Sequence, residues 1–202
     1  MIGAAPQRAV RLALTLALAG ALPSVAWADE RVLLHAEVDP LPFATGGYGA
    51  QLGVRHPALR GVRLAAASFS LNVPDVAAQL GGNDGFHVKV RPSGALYVLY
   101  YLEAGGRNGF AFGGALRYLR LRYRHDGEPG EALVSELSPE AIAAFQWHPF
   151  GSGAARGLYL QPWIGLSVTA LRDGDRVVGS REYDPLPVQP FFTVNIGWEL
   201  SL

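Results

Sequence analysis

Near its C-terminus the chain alternates strictly between large apolar side chains and polar or small ones. Phe192, Val194, Ile196, Trp198, Leu200 and Leu202 share one parity, and Thr193, Asn195, Gly197, Glu199 and Ser201 share the other. A period of two predicts a β-strand with one apolar face. The same rhythm appears upstream. Tyr48, Ala50, Leu52 and Val54 oppose Gly49, Gln51, Gly53 and Arg55. Leu158, Leu160, Ile164, Leu166 and Val168 oppose Tyr159, Gln161, Trp163, Ser167 and Thr169. In 31–38, Val32, Leu34, Ala36 and Val38 oppose Leu33, His35 and Glu37, and a Pro-rich break over 39–46 ends the run.

Other stretches are less regular. Ala65, Ala66 and Ala67 blur the alternation of 62–71. Phe86, Val88 and Val90 alternate with His87, Lys89 and Arg91, but beyond Pro92-Ser93-Gly94 the run 95–103 is apolar on both faces. One bent strand and two separate strands both fit that pattern. In 109–124, Phe110, Phe112, Leu116 and Tyr118 start in phase, after which Leu119, Leu121 and Tyr123 take the other parity against Arg120, Arg122 and Arg124. A β-bulge near Tyr118 accounts for such a slip. Residues 125–139 read as a polar connection, and 141–150 as a strand with Ala143, Phe145 and Trp147 facing away from Ile142, Ala144, Gln146 and His148. Asp173-Gly174 predicts a hairpin turn. Residues 74–80 fit a short loop helix, with Asn72 as cap and Gly81-Gly82 as stop. Long apolar periods of 3.6 are absent, so the chain reads as all-β, with eight to ten strands.

Composition narrows the setting. Arg8 and Arg11 precede an apolar run over 12–22, followed by Ala26-Trp27-Ala28, which is the layout of a secretory signal peptide cleaved before Asp29. The apolar run has 11 residues, whereas a membrane-spanning helix needs about 20. The expected division is a signal peptide over 1–28 and a single barrel domain over 29–202. Cysteine is absent, so an exported domain of this length depends on sheet closure and packing rather than disulfides. Loss of the two leader arginines leaves 15 basic against 17 acidic residues, which gives nucleic acid nothing to bind.

Asn195, Gly197, Leu200 and Leu202 fall in the order polar, any, Gly, any, any, apolar, any, apolar. This order resembles the C-terminal assembly signal of bacterial outer-membrane β-barrels, with Leu202 standing where an aromatic residue is usual. The whole alternating pattern resembles the small barrels of that class, which includes the OmpA membrane domain, OmpX and the OmpW family. The resemblance implies an antiparallel up-and-down transmembrane β-barrel of eight strands, or ten if every run spans. It implies a place in the outer membrane among lipid and lipopolysaccharide, and dealings with the barrel assembly machinery and periplasmic chaperones during biogenesis. It further implies either a narrow passage for small molecules, as in the OmpW family, or a structural or surface role, as in OmpX.

Candidate chemistry is sparse. The five histidines are scattered, no Gly-x-Ser-x-Gly elbow occurs, and no His-Ser-Asn cluster of the lipid A deacylase kind is present, so no enzyme, cofactor or metal is expected. The Gly81-Gly82-Asn83-Asp84-Gly85 stretch reads as a turn rather than a calcium loop. Gln51, Arg55, Glu103, Arg120, Arg122, Asn195 and Glu199 are candidates for a polar network filling the lumen. For the row Arg117, Arg120, Arg122 and Arg124 the favoured reading is interior ion pairing, and the other is contact with lipopolysaccharide phosphates at the rim. The alternatives to a membrane barrel are a periplasmic lipocalin-like carrier, with its apolar faces turned inward around a ligand, and a lipid A-modifying barrel enzyme.

Overall fold

The computed structural model describes residues 31–102 and 108–202. The signal peptide expected over 1–28 and the lumen candidate Glu103 lie outside the described residues. Seven strands follow one another: β1 (Leu33–Val38), β2 (Tyr48–Arg55), β3 (Val62–Asn72), β4 (Phe86–Tyr101), β5 (Gly109–His125), β6 (Ala132–Gln146) and β7 (Leu158–Ser167). Three short strands, β8 (Leu171–Asp173), β9 (Val177–Val178) and β10 (Arg181–Glu182), precede the terminal β11 (Gln189–Ser201). Each long strand pairs antiparallel with the next, β7 pairs with β11, and β11 pairs with β1. The result is a closed, eight-stranded, up-and-down barrel without a free outer strand.

The seam is made by the alternating strand that ends the chain. Leu33 stands opposite Ser201 and Val38 opposite Ile196, and the Leu202 N–H donates to the Val32 carbonyl at 2.9 Å. Polarity is inside out through this part of the wall. Leu52 and Leu96 are 70% and 66% exposed on the outer face, while Arg63 and Gln161 are 0% exposed inside. On β5 the outward apolar residues Phe110, Phe112, Leu116 and Tyr118 cover nine positions. At ~3.3 Å per residue and a tilt of ~40°, the eight steps between them rise ~20 Å, most of the ~25 Å apolar band of membrane barrels.

Beyond Tyr118 the faces exchange roles. Leu119, Leu121 and Tyr123 turn inward and pack with Phe86, Val88, Val90 and Val134, while Arg120, Arg122 and Arg124 turn out. No bulge in β5 produces this. Pairing of β5 with β6 runs unbroken from Gly109↔Gln146 to Tyr123↔Ala132, and the same odd positions face inward throughout. The register shift lies in β4, where Pro92 and Ser93 together face Leu119. Proline suits such a site because it has no N–H to give to a ladder. The expected bulge near Tyr118 is therefore corrected to its partner strand, and the slip in the pattern marks the place where the barrel leaves its apolar belt.

Other details also differ from the pattern. Residues 86–101 form one bent strand, and most of the expected polar connection over 125–139 belongs to β6. The Pro-rich break holds a short helix, α1 (Pro40–Ala44), capped by Asp39, whose side chain accepts from the Leu41 N–H at 3.0 Å. The later helix, α2 (Asp75–Ala78), has Pro74 at its N-cap, while Asn72 ends β3 and donates instead to the Thr45 carbonyl at 2.6 Å. The strands flanking Asp173-Gly174 do not pair with each other. β8 prolongs β7 along β6, one residue out of step, since Glu140 faces Ser167 but Leu137 faces Leu171.

Gly197 faces the interior, where a Cβ would lie 2.3 Å from the Tyr159 ring. Gly197→Val is expected to abolish the compact form that shifts on boiling in SDS electrophoresis of the membrane fraction. A parent-like yield of that form would count against the steric account.

Candidate functional site

The short first strand sets the geometry of the interior. β1 covers only Ile196–Ser201 of β11, so Gln189–Asn195 pair with β7 on one side and have no strand on the other. Above Val38 the wall therefore has a notch, and α1 sits over it. The Asp39 N–H bonds the Gly49 carbonyl at 3.0 Å and the Gly47 N–H bonds the Pro42 carbonyl at 2.7 Å, which pins α1 to the end of β2. A cavity of about 390 Å³ occupies this place. Its lining includes the interior side chains Gln51, Tyr97, Arg117, Trp163 and Asn195, but also Leu41 of α1 and the outer-face residues Ala50, Ser68 and Phe192. The cavity thus runs through the wall at the notch rather than only along the barrel axis.

Below it, on the side of the chain ends, lies a polar plug. Arg63 is ion-paired with Glu37, and both side chains are fully buried. Arg63 also donates to the Tyr101 hydroxyl and to Gln161 Oε1, both at 3.2 Å. Gln161 Nε2 donates to the Tyr101 hydroxyl at 2.9 Å, Gln51 Nε2 donates to Glu37 at 2.8 Å, and the Tyr159 hydroxyl donates to Glu37 as well. His35 Nδ1 lies 3.2 Å from the Tyr159 hydroxyl. Nearer the ends, Arg55 reaches Glu199 at 3.3 Å and lies over the Tyr101 ring. Gly53 leaves room for the plug, since a Cβ there would stand 2.7 Å from Arg63 Nε. Interlocked bonds of this kind hold an interior closed, because removing one partner strands a buried charge.

The opposite end is closed by apolar packing. Val178 and Tyr183, from the connection between β7 and β11, pack on Phe86, Leu121 and Tyr123. Asn83 ties that connection down, donating to the Asp184 carbonyl at 2.7 Å and accepting from the Asp184 N–H at 2.8 Å. Between cap and plug, Arg117 pairs with Glu140 at 2.6 Å and lies over the Phe191 ring, and Tyr97 meets Trp163 edge to face. Glu136 is buried against Arg176 and accepts from Thr169 at 3.0 Å.

Of the lumen candidates, Gln51, Arg55, Asn195 and Glu199 face the interior, and the first, second and fourth join the plug. Arg120 and Arg122 do not; they are corrected to the outer face, where Arg122 approaches Glu131 at 3.8 Å. Their parity matches that of the apolar belt, and they stand above it. Of the four arginines in the row only Arg117 turns inward. The central members of the plug, His35, Glu37, Arg63, Tyr101, Tyr159 and Gln161, were not among the candidates. The signal for most of them was parity: His35 and Glu37 share the face of β1 opposite its apolar residues, and Tyr159 and Gln161 do the same on β7. Arg63 was hidden in an alanine-rich run, but it pairs directly with Arg55 across the β2–β3 hairpin.

A closed eight-stranded barrel with an ionic interior and an apolar belt has the architecture of the small outer-membrane β-barrels. No protein family matches the sequence, and no curated protein matches it. Two solved structures are similar in shape. One is Neisserial surface protein A, at 11% identity and a TM-score of 0.47, covering 85% of this chain and 96% of the other. The second is a major outer membrane protein from Thermus thermophilus, at 13% identity and a TM-score of 0.49, covering 84% and 99% respectively.

The plug and the rim give two expectations. Arg63→Met leaves Glu37 buried without its cation and is expected to cost about 3–5 kcal/mol. This should appear as a lower urea midpoint for loss of the compact electrophoretic form, and Glu37→Gln in the same chain should recover part of it. At the rim, hydrogen bonds that the exposed His87 imidazole donates to Asp126 and to Asp75 hold it above its ordinary pKa. A raised folded value means that this tie is complete below about pH 6.5 and weakens as pH rises through the higher folded value. Amide exchange of α2, corrected for its intrinsic pH dependence, should therefore quicken as pH rises through that folded value in the parent but not in His87→Asn.

Proposed function

We propose that this protein is an integral outer-membrane barrel, without catalytic activity, that admits a small, largely apolar molecule to the notch cavity and passes it sideways through the wall. The observation that carries the reading is the notch above Val38, where an aromatic and polar cavity meets the outer face at the level of the apolar belt. An axial path is opposed from both ends, by the Glu37–Arg63 plug and by the apolar cap. The outward direction of the apolar faces speaks for a membrane setting and against a soluble carrier, whose apolar faces would surround a ligand. A passage through the wall at the notch therefore fits this interior better than one along the barrel axis.

The test uses Trp163, which lines the cavity. In a Trp147→Phe/Trp198→Phe chain reconstituted in lipid vesicles, 1-bromohexane is expected to quench Trp163 saturably. Thr193→Phe should fill the cavity and remove the saturable part while the barrel still shifts on boiling. Quenching that is merely linear in both chains, or steady single-channel steps in a planar bilayer, would sink the lateral reading.

A further inference from the structure

Where β4 and β5 rise above the belt, their outer faces carry cations opposite cations. His87 stands across from Arg124, Lys89 from Arg122, and Arg91 from Arg120. Like charges directly opposite on a sheet destabilise the pairing, so this ladder works against its own strands unless anions neutralise it. The protein supplies few. Glu131 takes Arg124 at 2.9 Å and Arg122 at 3.8 Å, and Asp75 and Asp126 take His87 at 2.9 and 2.8 Å. Among the described residues, Lys89, Arg91 and Arg120 have no carboxylate within ion-pair distance. The strand neighbours are mostly neutral: Asn72 faces Lys89 from β3, and Leu133 and Ser135 face Arg122 and Arg120 from β6, with Asp173 one strand farther on.

The position of the ladder identifies the anion. Its lowest rung, Arg91 and Arg120, comes directly above Tyr118, the last aromatic of the belt, which stands opposite Gly94 across the bulge. The end concerned is the one away from the two chain ends, and in an outer-membrane barrel that end meets the outer leaflet. Cations there are level with lipid headgroups. Rungs repeat every two residues, ~6.6 Å along a strand, and neighbouring strands are ~4.8 Å apart. Such a grid holds several phosphate oxygens at once, and Arg guanidinium groups bind phosphate through paired N–H donors.

We infer that the outer face of β4 and β5 is a binding site for the phosphates of lipid A in lipopolysaccharide, with Lys89, Arg91, Arg120 and Arg122 as its cationic ligands. The site rests on the outer-membrane reading above but not on the notch. It also accounts for the uneven rim: β4 and β5 have 16 and 17 residues against 6 and 8 in β1 and β2, so one side of the barrel alone reaches past the belt to offer charge.

The test compares the parent with Lys89→Gln/Arg91→Gln/Arg120→Gln/Arg122→Gln, each extracted from outer membrane in mild detergent. The parent is expected to retain lipid A through purification, and the variant to retain about tenfold less or lower still, given the loss of four cations near a charged surface. In detergent free of lipid A the variant should be at least as resistant to urea as the parent, because cross-strand repulsion is relieved. Titration with vesicles containing diphosphoryl lipid A, monophosphoryl lipid A or phosphatidylglycerol should rank affinity in that order for the parent alone. Equal retention by both chains, or equal affinity for phosphatidylglycerol and diphosphoryl lipid A, would overturn the site while leaving the membrane reading intact. Recovery of the parent from the soluble fraction, without a heat-dependent shift, would overturn both.

Discussion

Inside a hydrocarbon layer a strand has no water to satisfy its backbone, so every N–H and C=O must find a partner within the sheet. The organisation of this barrel follows from how it meets that requirement and where it departs from it. Seven neighbouring pairs and the β1–β11 seam satisfy the wall, but β1 stops at Val38 while β11 continues to Gln189. Backbone left without a strand neighbour at membrane depth is tolerated where it is buried in protein or lines a polar cavity. Here the free stretch of β11 borders the cavity and is roofed by α1. The cavity is thus tied to a stretch of the wall without a strand neighbour, and the length of β1 determines its place.

The second constraint is the period of two. A strand presents fixed parities to its two sides, yet the chemistry of the two sides changes along this barrel, from apolar outside and polar inside to polar outside and apolar inside. β5 meets this by exchanging the chemistry of its two faces at Tyr118 without changing register. The same strand thereby has an apolar outer face over one half and an apolar inner face over the other. Small interior residues in the belt, such as Ala111 and Ala115, leave room for the bulky plug and the Tyr97–Trp163 pair on the neighbouring walls.

The barrel was legible in the sequence because alternation is a local signal and parity carries over directly to a face. The terminal strand, β2 and β7 were readable for that reason, and with them the interior places of Gln51, Arg55, Asn195 and Glu199. What was not legible depends on height along the barrel rather than on parity. Arg120 and Arg122 have the parity of lipid-facing residues, and only the end of the belt at Tyr118 explains why charge stands there. The same change of surroundings mimicked a bulge in β5, while the real one lay across the ladder at Pro92-Ser93. Helix α1 was obscured because two of its five residues are prolines. They read as a break, although proline is well tolerated in the first turn of a helix.

The seam joins Leu33 to Ser201, residues at opposite ends of the described chain. Every other strand pair of the ring forms between segments that follow one another or, for β7 and β11, are separated by a single excursion, so those contacts are far closer along the chain. Ring closure is the exception. It carries the largest loop-closure entropy in the molecule and cannot be nucleated by any turn. Without that seam the eight strands form an open sheet in which β1 and β11 both present bare edges. That state is also the one most exposed to pairing with strands of other chains.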